Sequence, residues 1–89
     1  MEASDLKDMQ MGVQPLDAIL NQHELKHADL VEVSTEQLTH KMVAKGRKGR
    51  RLSLKIQMKI VHALNAALAL RVPGRTYAAR ELFNYKGKE

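Results

Sequence analysis

The chain has 89 residues, enough for one small domain, and 44% of them are hydrophobic, so a buried core is expected. With no cysteine, disulfides, thiolate catalysis and cysteine-ligated zinc are excluded; with only Tyr77, Phe83 and Tyr85 aromatic, the core must come from Leu, Ile, Val, Met and Ala. The net charge of +5 is unevenly spread: residues 1–36 hold two basic residues against eight acidic ones, while residues 37–80 hold eleven basic residues and neither Asp nor Glu.

A stretch without carboxylates cannot be neutralised locally, so it projects a positive field towards phosphates, acidic proteins or anionic lipid. No apolar run reaches the roughly 18 residues that span a bilayer. The opening MEASDLKDMQMG has no apolar centre and is acidic, unlike a secretory signal. A soluble cytoplasmic protein is expected, associated with the nucleoid if the cell is bacterial.

Residues 1–12 show no sustained period and read as a flexible tail. Pro15 suits the first turn of a helix and Asp17 complements the positive dipole end there. Leu16, Ile19, Leu20 and His23 recur at i, i+3, i+4 and i+7, which predicts one helix face ending near His23. Leu25 falls in the connection. HADLVEVS predicts a short second helix over 28–33, with Leu30, Val31 and Val33 towards the core. Ser34 followed by Gln37 has capping-box spacing and predicts a third helix over 35–46, with Leu38, Met42 and Val43 inward. Gly46 and Gly49 then bracket a loop, KGRKGRR, residues 45–51, with five positive charges and no negative one. Ser53 caps the longest helix, whose Ile56, Ile60, Val61, Leu64 and Leu68 form an apolar stripe. Pro73-Gly74 breaks the chain. Thr76 caps a last short helix, YAARELF, that returns Leu82 and Phe83 to the core, and residues 86–89 form a flexible end. The expected fold is all-α, a compact bundle of about five short helices with a helix-turn-helix domain over 13–85.

The second and third helices, joined by a tight turn, form the arrangement that lays a helix in the DNA major groove. Away from the Leu38/Met42 seam the third helix offers Thr35, Glu36, Gln37, Thr39, His40 and Lys41, most of them able to exchange hydrogen bonds with base edges. If that helix sits in the groove, Lys45, Arg47, Lys48, Arg50 and Arg51 emerge beside a sugar-phosphate strand. Ser53 and the exposed amides of the long helix add a further phosphate contact.

From Leu16 to Phe83 the sequence resembles the lambda-repressor-like (Cro/C1-type) helix-turn-helix DNA-binding domains. LDAIL is similar to the first helix, DLVEVSTEQLT to the motif, KGRKGRRLS to the basic joint, KIVHALNA to the fourth helix and RELF to the fifth. Leu30 and Val31 match the leucine and small residue of the first motif helix, and Leu38 matches the buried aliphatic residue of the recognition helix. The resemblance implies sequence-specific binding of double-stranded DNA by a transcriptional regulator. Thr35, Glu36, Gln37 and His40 then fall at positions that commonly face bases. A homodimer on a palindromic site fits the modest area one such unit buries.

Other readings stand beside this one. A basic loop is often a solvated surface or a nuclear-import signal. The same face suits an acidic protein partner. Structured RNA is another candidate, although so few aromatics disfavour single strands. Arginines flanked by glycine also fit a narrow A·T minor groove. His23 and His27, at i and i+4, would hold a metal only on one continuous helix; a turn is expected there, and no metal or cofactor is assigned. Met42 and Met58 read as core filler, and Asn65 as bonded to neighbouring backbone. No paired carboxylates, phosphate loop or nucleophile–base pair appears, so no enzymatic activity is expected.

Overall fold

The computed structural model describes residues 12–85, and in them five helices follow one another without a strand between: α1 (Pro15–Gln22), α2 (His27–Val33), α3 (His40–Lys48), α4 (Leu54–Arg71) and α5 (Ala79–Leu82). Of the segments read as flexible ends, residues 1–12 and 86–89, all but Gly12 lie outside the described residues. The all-α bundle expected from the apolar spacing is what the chain forms.

α4 is the axis of the domain. Ser53 Oγ accepts the Ile56 N–H at 3.3 Å and starts it, as expected of a serine N-cap. Its Ile60, Val61, Ala63, Leu64, Ala67 and Leu68 are buried, an arc wide enough to pack α2, α3 and α5 at once. α1 adds Leu16 and Leu20, both fully buried, and Leu25 closes the core from the α1–α2 connection. Asn65 bonds as expected: its amide donates to Tyr77 O at 3.0 Å and accepts the Tyr77 N–H at 2.8 Å, fixing the return of the chain to α4. Met42 and Met58 are partly buried against the core.

Three expected boundaries are corrected. The helix predicted over 35–46 is α3, which begins at His40. Ser34 is the C-cap of α2 instead, and its Oγ accepts the Glu36 N–H at 3.1 Å, so the Ser34/Gln37 capping box does not form. Gln37 has φ 59°, the left-handed conformation that ends rather than begins a helix, and Thr39 is the true cap. Gly46 is not in a loop. It lies buried inside α3, where an added Cβ would sit 3.3 Å from side-chain atoms of Leu16, Leu52 and Ile60, so its missing side chain lets α3 approach α1 and α4. Finally, α5 starts at Ala79 rather than after Thr76; the Glu81 carboxylate accepts the Ala78 N–H at 2.7 Å and closes the first turn.

Candidate nucleic-acid interface

α2 and α3 pack against each other across the six-residue connection 34–39, and Leu38 is buried within it. The resemblance assigns Leu38 to the third helix; the buried aliphatic residue of α3 itself is Val43. Thr39 Oγ1 accepts the Met42 N–H at 3.1 Å and sets the start of α3. Gly49, at φ 99°, ends it, and a Cβ there would collide with the Gly12 carbonyl. At about 3.6 residues per turn, Val43 and Gly46 face inward while His40, Lys41, Lys45 and Lys48 share the outer arc. Lys41, Lys45 and Lys48, at i, i+4 and i+7, form a single row of positive charge.

The helix dipole treats the row unequally, favouring Lys45 and Lys48 in the last turn and disfavouring Lys41 in the first. Lys41 stands in the first turn, where the helix dipole is positive and no acidic residue compensates it. Lys41 and Lys45 also repel at i, i+4, a cost of a few tenths of a kcal/mol. Asp17, the carboxylate that reaches α3 from α1, does not cancel the row because Arg47 occupies it.

The base-facing candidates therefore divide. His40 and Lys41 lie on the exposed face of α3. Thr35, Glu36 and Gln37 lie in the turn before it rather than on the helix. Thr35 and Gln37 reach solvent, but Glu36 is engaged elsewhere: its Oε2 lies 2.7 Å from His62 Nδ1 on α4.

The phosphate candidates divide as well. Lys45 and Lys48 are on the outer arc of α3, so the basic run is half helix and half loop. Arg47 points the other way. Its Nε donates to Asp17 Oδ1 at 2.7 Å and its Nη2 to Asn21 Oδ1 at 2.9 Å, which makes it a staple between α3 and α1 rather than a free cation. Arg50 and Arg51 follow in the segment that leads to α4, Arg51 half-buried. Ser53 is the α4 cap, at the helix end that favours anions.

Side chains distant in sequence hold the Arg50–Ser53 segment in place. Tyr85 Oη accepts the Leu52 N–H at 3.0 Å and donates to Arg50 O at 3.1 Å. Burial pushes the Tyr85 phenol above its ordinary pKa, opposed by the Leu52 hydrogen bond, and so favours the neutral form that can donate. The Gln57 amide, buried on α4, donates to Leu52 O at 3.1 Å. Neither contact has a local sequence signal. Between α3 and this segment runs a groove of about 360 Å³, with Lys41, Lys45, Arg50 and Arg51 as its charged members and Met42, Leu52 and Ile56 as its apolar ones.

A second cluster lies beside α3. The His27 and His40 rings, at the starts of α2 and α3, have centroids 6.4 Å apart. Burial, then Arg47 and His40, lower the His27 pKa below its ordinary value, while Asp17 opposes them. His23 is in a turn as expected, followed by Glu24 at φ 55°, and its Nε2 shares a 3.2 Å hydrogen bond with Tyr77 Oη. Among the described residues no three His, Asp or Glu side chains are placed to share a metal ion. No helix among them is long and apolar enough to cross a membrane.

No protein-family model, curated protein or solved structure matches this chain.

Proposed function

We propose that the protein binds double-stranded DNA sequence-specifically through its helix-turn-helix, as a transcriptional regulator. α3 enters the major groove, and the Arg50–Ser53 segment lies on the adjacent phosphates. The observation that carries this reading is the outer face of α3. Lys41, Lys45 and Lys48 form an exposed row that no described carboxylate pairs with, and the Asp17 carboxylate is held by Arg47. Such a row gains its stabilisation from an external polyanion.

Within this reading His40 and Lys41 are the base-reading residues, being in the first turn of a groove-bound helix. Lys45, Lys48, Arg50, Arg51 and Ser53 hold phosphates, and Arg47 orients α3 from behind. Gln37, at φ 59°, supplies the left-handed residue of the turn between α2 and α3. The protein has no catalytic role here and works in the compartment that holds the DNA. One copy presents one recognition helix, so two copies on a palindrome give the paired contact that such helices use.

Selection from a random duplex pool at near-physiological salt tests the proposal. An enriched motif is the expected result, and a symmetric motif would indicate the dimer. Recovery of an unenriched pool, or preferential retention of A-form RNA duplex, would refute sequence-specific DNA binding.

A further inference from the structure

We infer that the groove between α3 and the Arg50–Ser53 segment is a binding site for a small organic anion with an apolar body, such as an aryl phosphate or aryl carboxylate. Three observations converge on it. Its volume of about 360 Å³ is that of a small-molecule pocket. Its lining combines four cations, Lys41, Lys45, Arg50 and Arg51, with the apolar side chains of Met42, Leu52 and Ile56, and it contains no carboxylate. Arg51 Nε is a buried donor with no hydrogen-bond partner, in a protein whose other described buried side-chain donors and acceptors are paired.

The third observation selects the ligand's charge. Arg51 Nε is shielded even from water, and a guanidinium N–H without an acceptor is costly, so an anion in the groove draws the half-buried side chain round to give its oxygen a charge-assisted hydrogen bond. Ser53 at the start of the 18-residue α4 brings the positive end of the longest helix to the same groove. The second observation selects the ligand's body, because inorganic phosphate alone leaves the apolar side chains without a partner. An aromatic or short aliphatic group beside the anionic head covers both halves of the lining.

Binding in the groove needs no DNA and stands apart from the DNA reading. One consequence does rest on that reading: Lys41 and Lys45 belong to both surfaces, so an occupied groove and a docked duplex compete. A ligand of this class would then release the protein from its site.

Titration of the full chain with phenyl phosphate, followed by NMR through the Arg51 Nε–H resonance and the Met42 and Ile56 methyl groups, tests the site without DNA. Saturable shifts of all three groups are expected, with inorganic phosphate binding at least tenfold more weakly. Arg51→Met should weaken phenyl phosphate binding at least tenfold, and Arg51→Lys, which keeps the charge but lacks Nε, should not restore it. Arg80→Ala, which removes a charge on α5, should leave binding unchanged. The dispersion of the methyl spectrum in each variant reports whether it is folded. Equal affinity for phenyl and inorganic phosphate would overturn the assignment to an organic anion. Methyl groups unmoved by saturating phenyl phosphate, or binding unaffected in a folded Arg51→Met variant, would overturn the site.

Discussion

Arg47 Nε lies 2.7 Å from Asp17 Oδ1, so one of the five cations in the basic run faces into the molecule and ties the end of α3 to the start of α1. The Gln14 N–H donates to Arg47 O at 3.2 Å alongside it, adding a backbone bond to the side-chain one. None of the other four cations forms an ion pair with a described carboxylate, so this seven-residue stretch holds one structural cation and four unpaired ones.

Arg47→Ala should therefore lower the unfolding free energy by about 1–2 kcal/mol, the range for charge-assisted bonds discounted for partial exposure. Arg50→Ala should stay within about 0.5 kcal/mol of the parent, as expected for a side chain without a packing role. Urea denaturation of the two variants measures the difference. Equal stabilities would remove the staple from the account.

The start of α3 at His40 makes a second prediction. Thr39→Ala removes a side-chain cap and should cost about 1 kcal/mol. Gln37→Gly should be neutral or stabilising, because the backbone there is already left-handed. If the helix instead began at residue 35, Gln37→Gly would place glycine in its first turns and destabilise it. Thermal unfolding of the two variants distinguishes the cases.

Tyr85→Phe keeps the ring and deletes the hydroxyl that bridges the Leu52 N–H and Arg50 O. A loss of about 1–2 kcal/mol is expected, because two backbone groups are left without their partner. Hydrogen exchange at the Leu52 amide should accelerate in the variant while amides within α4 are much less affected. Unchanged protection at Leu52 would mean that other side chains hold the segment.

His27 makes stability depend on pH. Its folded pKa lies below 6.5, so on acidification the unfolded chain takes up the proton first and stability falls. The contribution is fully present above pH 6.5. It is lost progressively as pH drops through 6.5 towards the lowered folded value, below which this group adds no further change. Chemical denaturation at pH 7.5 and 5.5 should show a smaller pH difference for His27→Gln than for the parent, and an equal difference would contradict the shift.

Where signals are local, the sequence is legible. Pro15 and the Leu16/Leu20 spacing define α1, Ser53 and the stripe from Ile56 to Leu68 define α4, and Asn65 inside an apolar helix marks a backbone anchor. Ambiguity enters where two residues offer the same signal. Ser34 and Thr39 are both capping types, and only packing decides between them: Leu38 must be buried from the turn and Val43 from the helix, which moves the start of α3 by five residues. Gly46 suggests a break because glycine ends helices as readily as it permits close crossings. The pairing of Arg47 with Asp17, thirty positions away, and of Tyr85 with the basic segment has no local trace at all. The site is visible in the sequence as a charge pattern, and its division into staple and surface is not.

The salt dependence of duplex binding tests the central claim most directly. For the parent chain, the logarithm of affinity should fall linearly with the logarithm of salt concentration. Replacing Lys45, Lys48, Arg50 and Arg51 by Ala should flatten that slope by about one for each phosphate no longer neutralised, at unchanged helicity. A quadruple variant that binds duplex with the parent's affinity and slope would show that this surface does not carry the interaction.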